Sequence, residues 1–111
     1  MSQSVALLLL LAAAVLEAGG DALVRAGLHG STSWMRTLLL AAGGAVLLTY
    51  GIVVNTPPWD FGRLLGLYVV FFFVVSQVIG WVFFKQPPTQ TLLIGGAFIV
   101  VGGLIISLGR H

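Results

Sequence analysis

Three ionisable residues stand inside the first apolar segment of the chain: Glu17, Asp21 and Arg25. Their spacing of four residues places them on one face of a helix, each one turn from the next. An acidic side chain near the centre of a bilayer costs about 2.5–3.5 kcal/mol on insertion scales, so a carboxyl group at that depth indicates a function. We expect Asp21 to form an ion pair with Arg25, whose long side chain can reach the membrane interface.

Glu17, by contrast, has no cationic residue one turn away on either side. Hydrocarbon disfavours an isolated carboxylate, so this group has to be neutralised by a proton or by a bound cation. The sequence therefore predicts that Glu17 is a shared proton-binding and cation-binding site, with Asp21 beside it. Two structural alternatives remain open: Glu17 as a hydrogen-bonded polar anchor between helices, and Asp21 with Arg25 as a purely structural pair.

The segments that carry these residues are apolar enough to cross a membrane. Of the 111 residues, 59% are hydrophobic and only 7% are charged, whereas a soluble domain has about 25% charged residues. A transmembrane helix needs roughly 20 apolar residues. The sequence predicts an all-α membrane protein, a single domain over residues 1–111. Its four transmembrane helices are expected at approximately 4–26, 34–54, 62–84 and 91–108. Short loops make successive helices antiparallel.

Charge and cysteine content exclude several other classes of protein. The chain has no cysteine, so it forms neither disulfides nor thiolate metal sites. Its five cationic residues are scattered singly, which argues against a nucleic-acid surface. His29 and His111 lack the neighbouring ligands that a metal site needs. Because no nucleophile–base pair or phosphate-binding loop is present, we expect a protein that is not an enzyme and that holds no cofactor or metal.

The cationic residues are divided almost evenly between the two sides of the predicted bundle. One side has Arg63 and Arg110, and the other has Arg25, Arg36 and Lys85. The bias is too small for the positive-inside rule to set an orientation. Either the chain simply has few charges, or it inserts in both orientations and pairs antiparallel with itself.

Further polar and aromatic residues in the apolar segments are candidates for the same site. Gln77 lies in the middle of the third segment, where its amide needs a partner. An interhelical hydrogen bond is the favoured role for Gln77, and a substrate contact is the alternative. Tyr50 and Tyr68 either line a cavity or pack in the core.

Two glycine pairs recur at a spacing of seven residues in the fourth segment: Gly95 with Gly102, and Gly96 with Gly103. Such a spacing gives a smooth stripe on one helix face, where another backbone can approach closely. The spacing fits a dimer interface along this stripe but does not by itself identify one. The alternative is packing within the protomer.

Taken in order, these motifs resemble those of the small multidrug resistance superfamily, within the drug/metabolite transporter group. The likeness covers nearly the whole chain and four stretches carry it: Leu16 to Gly20 followed by Arg25, Trp81 to Gln86, Gly95 with Gly102, and Leu104 to Ser107. The resemblance implies a four-helix protomer that works as a dimer, commonly antiparallel. It also implies that Glu17 binds a proton and a small organic cation in turn, so that the two are exchanged across a bacterial cytoplasmic membrane.

One stretch departs from the multidrug members of that superfamily. Gly62 and Arg63 followed by Tyr68 look more like its YnfA-like branch, and Tyr68 stands where those members have a tryptophan. Two other roles stay open beside proton-coupled efflux. The chain could be a non-transporting membrane subunit, either half of a heteromeric pair or a packing element of a larger complex. It could also be a subunit of a lipid-carrier flippase.

Overall fold

The computed structural model describes residues 1–109, so Arg110 and His111 lie outside the described residues. Its four helices are α1 (Gln3–Leu28), α2 (Ser33–Val54), α3 (Phe61–Phe84) and α4 (Gln90–Leu108). All four are long and apolar enough to cross a membrane, and residues 1–109 contain no strand. The predicted all-α class with four transmembrane helices is therefore confirmed. The helix bounds differ most at the end of α1, which continues to Leu28.

Local signals explain where several of these helices begin and end. The Ser2 hydroxyl accepts a hydrogen bond of 3.2 Å from the Val5 amide, and the Thr89 hydroxyl accepts one of 3.2 Å from the Leu92 amide. Both side chains thus satisfy an amide of a first helical turn. At the C-terminal end of α3, Lys85 adopts a left-handed backbone conformation with φ 56°. This residue ends α3 directly before the loop that leads into α4.

α1 is the most buried of the four helices. Its backbone packs against α2 and against α3, while α4 packs against α3 alone among the described helices. The result is a slab of 51 × 34 × 19 Å. The buried positions of α1 are mostly small residues, which let its neighbours approach closely: Ala6, Leu10, Ala13, Ala14, Ala18, Gly20 and Gly27. The helix that carries Glu17 and Asp21 is therefore one of the two inner helices, each of which has two neighbours.

The α1–α2 crossing depends on two glycines that face each other. A methyl group added at Gly43 would lie 2.7 Å from a Val24 methyl and 3.0 Å from the Gly20 carbonyl oxygen. The next residue, Gly44, has nothing within 4 Å of the position that such a methyl group would occupy. Of the two adjacent glycines of α2, only Gly43 is thus required for the close approach of the α1 and α2 backbones.

The glycine stripe of α4 divides into two halves. Gly96 and Gly103 are buried, and a side chain there would meet Phe73 and Val70 of α3. These two glycines therefore pack within the protomer, which corrects their predicted place in a dimer interface. The reason is their position one residue further round the helix than Gly95 and Gly102. The latter pair has nothing within 4 Å and remains open for contact with another chain.

We expect Gly43→Ala to lower the free energy of unfolding by about 1–3 kcal/mol, because the added methyl group overpacks the α1–α2 crossing. The matched control Gly44→Ala should not lower it, because nothing contacts that position. Unfolding by dodecyl sulfate in mixed micelles, followed by circular dichroism, measures both variants. Equal destabilisation of the two would contradict the proposed role of Gly43.

Candidate functional site

The Glu17 carboxyl group is held by a hydrogen bond between α1 and α3. The Tyr68 hydroxyl donates to Glu17 Oε1 over 2.7 Å. Tyr68 is only 3% exposed and belongs to the main apolar core, whereas Glu17 is half-buried. A hydroxyl–carboxyl bond of this length is a strong one where water is scarce. The packing of Tyr68 therefore fixes the position of the carboxyl group inside the apolar bundle.

Aromatic rings from two helices lie beside this hydrogen bond. The Tyr50 ring centroid on α2 is 5.7 Å from that of Tyr68. The Phe72 ring on α3 is 6.3 Å from Tyr68 and nearly parallel to it. Aromatic faces attract organic cations, and they do so more strongly away from water. A carboxyl group next to such rings is an arrangement that suits a small organic cation.

Tyr68 and Phe72 belong to a row of residues on α3 that faces α1. Ser76 and Phe84 continue this row at multiples of four residues, and both line a cavity together with Asp21 and Arg25 of α1. The sequence interpretation missed Phe72 and Ser76. The signal that could have revealed them is their four-residue spacing after Tyr68, which matches the spacing of the charged residues on α1.

The structure does not form the predicted ion pair between Asp21 and Arg25. The Arg25 guanidinium carbon lies 5.4 Å from the centre of the Phe84 ring, and no salt bridge within 4.0 Å joins it to Asp21 in the described residues. An exposed pair of this spacing contributes only about 0.2–0.5 kcal/mol, so a cation–π contact can replace it. Both side chains are exposed and line the same cavity.

Gln77 lies apart from Glu17, on another face of α3. It lines a groove with residues of α3, of α4 and of the loop between them. No described residue forms a hydrogen bond with its amide, so the predicted interhelical bond is not made within the protomer. Its neighbour Ser76 instead donates to the Phe73 carbonyl oxygen over 2.8 Å. The structure thus brings Tyr50, Tyr68 and Asp21 to the vicinity of Glu17, but not Gln77.

The amino-acid sequence is similar to those of a family of membrane proteins. The family described as "Uncharacterised BCR, YnfA/UPF0060 family" matches residues 4–111. A UPF0060 membrane protein of Herpetosiphon aurantiacus is 34% identical over 104 residues, which cover 91% of each chain. One of Staphylococcus carnosus is 34% identical over 103 residues, 92% of this chain and 93% of that protein. No solved structure matches the chain. The predicted likeness to the YnfA-like branch is confirmed.

We expect Tyr68→Phe to change the vibrational signature of Glu17 without unfolding the protein. Loss of the hydroxyl removes the 2.7 Å hydrogen bond to Oε1, so the carbonyl stretch of the protonated carboxyl group should move to higher frequency. Infrared difference spectra between acid and neutral pH measure that stretch, and Glu17→Gln identifies the band as that of Glu17. Thr49→Val is the control, since it removes a hydroxyl that donates to the Ala45 carbonyl oxygen of its own helix and leaves the Tyr68 hydroxyl in place. A band that stays in place in Tyr68→Phe would show that the bond does not form.

Proposed function

We propose that this chain, which belongs to the YnfA/UPF0060 family of membrane proteins, exports small organic cations in exchange for protons. In this proposal Glu17 binds the two in turn. The observation that carries it is the Glu17 carboxyl group, held by the Tyr68 hydroxyl at 2.7 Å inside an apolar helix bundle. A polar anchor between helices would make the same hydrogen bond, but an apolar residue would pack there without the desolvation cost of a carboxyl group, which favours a function for the acid.

A single carboxyl group in this setting is sufficient for exchange. With a proton or an organic cation bound, the site is neutral and can be moved across the membrane. With neither bound, the bare carboxylate faces apolar surroundings, and that state is disfavoured by several kcal/mol. Competition of two ligands for one charge thus couples their movements, since each transition requires that one of them be bound.

The neighbouring rings favour an organic cation over an inorganic one. Tyr50, Tyr68 and Phe72 present aromatic surface next to the carboxyl group, which replaces part of the hydration shell of an alkylammonium ion. A small alkali ion loses far more hydration energy than these rings can return. The bound substrate is therefore expected to be a cation with an apolar body.

The exporter is proposed to work as a dimer of this chain in a bacterial cytoplasmic membrane, where a proton gradient is available. Support comes from α4, which packs only on α3 and has Gly95 and Gly102 uncovered. The nearly even division of cationic residues between the two sides of the bundle is compatible with an antiparallel arrangement of the two copies.

We expect the purified protein in liposomes to release protons when small alkylammonium and arylammonium ions are added, and Glu17→Gln to abolish the release. The reason is that the glutamine amide at this position has no ionisable proton to give up to a competing cation. A pH-sensitive dye measures the release. Asp60→Asn is the matched control, since Asp60 is the acidic residue outside α1 and stands directly before α3.

Two outcomes would contradict the proposed exchange. Release that persists undiminished in Glu17→Gln would place the coupled proton on another group. Silence of the wild-type protein over the whole panel would favour the alternative of a non-transporting subunit or a lipid-carrier flippase subunit.

We also expect Gly95→Leu combined with Gly102→Leu to leave monomers in mild detergent. A Cβ atom at either position has nothing within 4 Å among the described residues, so we expect the variant to keep its helical circular dichroism while it loses the contact between copies. Size-exclusion chromatography with light scattering measures the mass of the protein in the micelle. Gly96→Leu with Gly103→Leu is the contrasting pair, which should unfold the protomer because side chains there clash with Phe73 and Val70. An unchanged dimer in the first variant would exclude Gly95 and Gly102 from the interface.

A further inference from the structure

A cavity of about 260 Å³ opens between α1 and α3, beyond Glu17 towards the ends of both helices. Its charged lining residues are Asp21 and Arg25 of α1, which stand one turn apart. Neither side chain is neutralised by the other, because no salt bridge within 4.0 Å joins them in the described residues. The cavity therefore presents a carboxylate and a guanidinium group that are both available to a ligand.

The opposite wall of this cavity is aromatic and polar. Phe72 and Phe84 of α3 line it, together with the Ser76 hydroxyl and the Gln86 amide. The Arg25 guanidinium lies over the Phe84 ring at 5.4 Å, which holds the positive charge at the far end of the cavity. At the near end, the Phe72 ring packs on Tyr68, whose hydroxyl bonds to Glu17. The cavity is thus joined to the proton site through two side chains in contact.

The balance of charge restricts what this cavity can bind well. An anion would approach Arg25 but would be repelled by Asp21 and Glu17. A simple cation would satisfy Asp21 or Glu17 but would leave the Arg25 guanidinium without an acceptor. A ligand that carries both signs of charge on a short apolar body matches Asp21 and Arg25 at once.

We propose that this cavity binds small zwitterions, with the ammonium group of the ligand on Asp21, on the side of the cavity nearer to Glu17, and its carboxylate on Arg25. The inference deepens the proposed function, because the ammonium group is the part that would compete with the proton for Glu17. An aromatic or apolar body of the ligand lies between Phe72 and Phe84.

L-phenylalanine and phenethylamine test this proposal, because they differ only in the carboxylate. The full chain in lipid nanodiscs is titrated with each ligand by calorimetry at neutral pH. We expect the wild-type protein to bind phenylalanine about tenfold more tightly than phenethylamine, since the added carboxylate makes a charge-assisted hydrogen bond. Arg25→Gln should reduce this ratio to about one, and Arg25→Lys should retain part of it.

Arg36→Gln is the matched control, since it removes a cationic residue that lines a different cavity, with Ser33, Thr37 and Leu40. It should keep the full preference. Circular dichroism verifies that each variant folds. If Arg25→Gln does not fold, the binding preference of Arg25→Lys tests the role of Arg25 instead. The proposal is overturned if the wild-type protein binds phenethylamine at least as tightly as phenylalanine, if it binds neither, or if Arg36→Gln removes the preference equally.

Failure of this proposal and failure of the exchange function give different results. Phenethylamine that releases protons through Glu17, with no preference for phenylalanine, would support exchange and overturn the zwitterion site. Phenylalanine that binds preferentially through Arg25 but releases no proton would support the zwitterion site and contradict exchange.

Discussion

The carboxyl group of Glu17 needs a hydrogen-bond partner and cover by neighbouring helices, and the packing of the protomer provides both. A carboxyl group in apolar surroundings needs a hydrogen-bond partner, and the Tyr68 hydroxyl supplies it at 2.7 Å. That partner has to be fixed by packing, which is why Tyr68 is buried in the core. The helix that carries the acid has to be covered on two sides, and the small residues of α1 allow α2 and α3 to approach it.

The exposure of the charged side chains increases along α1, from Glu17 to Asp21 and Arg25. Glu17 and Tyr68 lie in the packed part of the α1–α3 contact, whereas Asp21 and Arg25 are exposed and line an open cavity. Along the row on α3, Tyr68 contacts Glu17, and Arg25 reaches Phe84 further along the same helix. A proton can be held at the deep end, while the open end has room for the body of a ligand whose charged group competes for Glu17.

Apolar run length was enough to predict the four helices, and the absence of a cationic neighbour was enough to single out Glu17. Periodicity indicates which residues share a face, but not which neighbouring helix that face meets. Gly95 and Gly96 illustrate the difference, since a single residue separates an open position from one packed on Phe73. Arg25 shows it again, because its contact with Phe84 depends on how α1 lies against α3. Gln77 could not be placed for the same reason.

In the single protomer, one side of the candidate site is not covered by any of the described helices. α4 packs on α3 away from α1, so nothing among the described helices covers the exposed side chains of Asp21 and Arg25. Lipid is a poor cover for a carboxylate and a guanidinium group, because it offers neither hydrogen bonds nor charge. In the proposed dimer, a second copy would supply that wall, and movement of one copy against the other would open the cavity to either side of the membrane. The uncovered charges near the site and the uncovered glycines of α4 thus both support the proposal that the exporter consists of two chains.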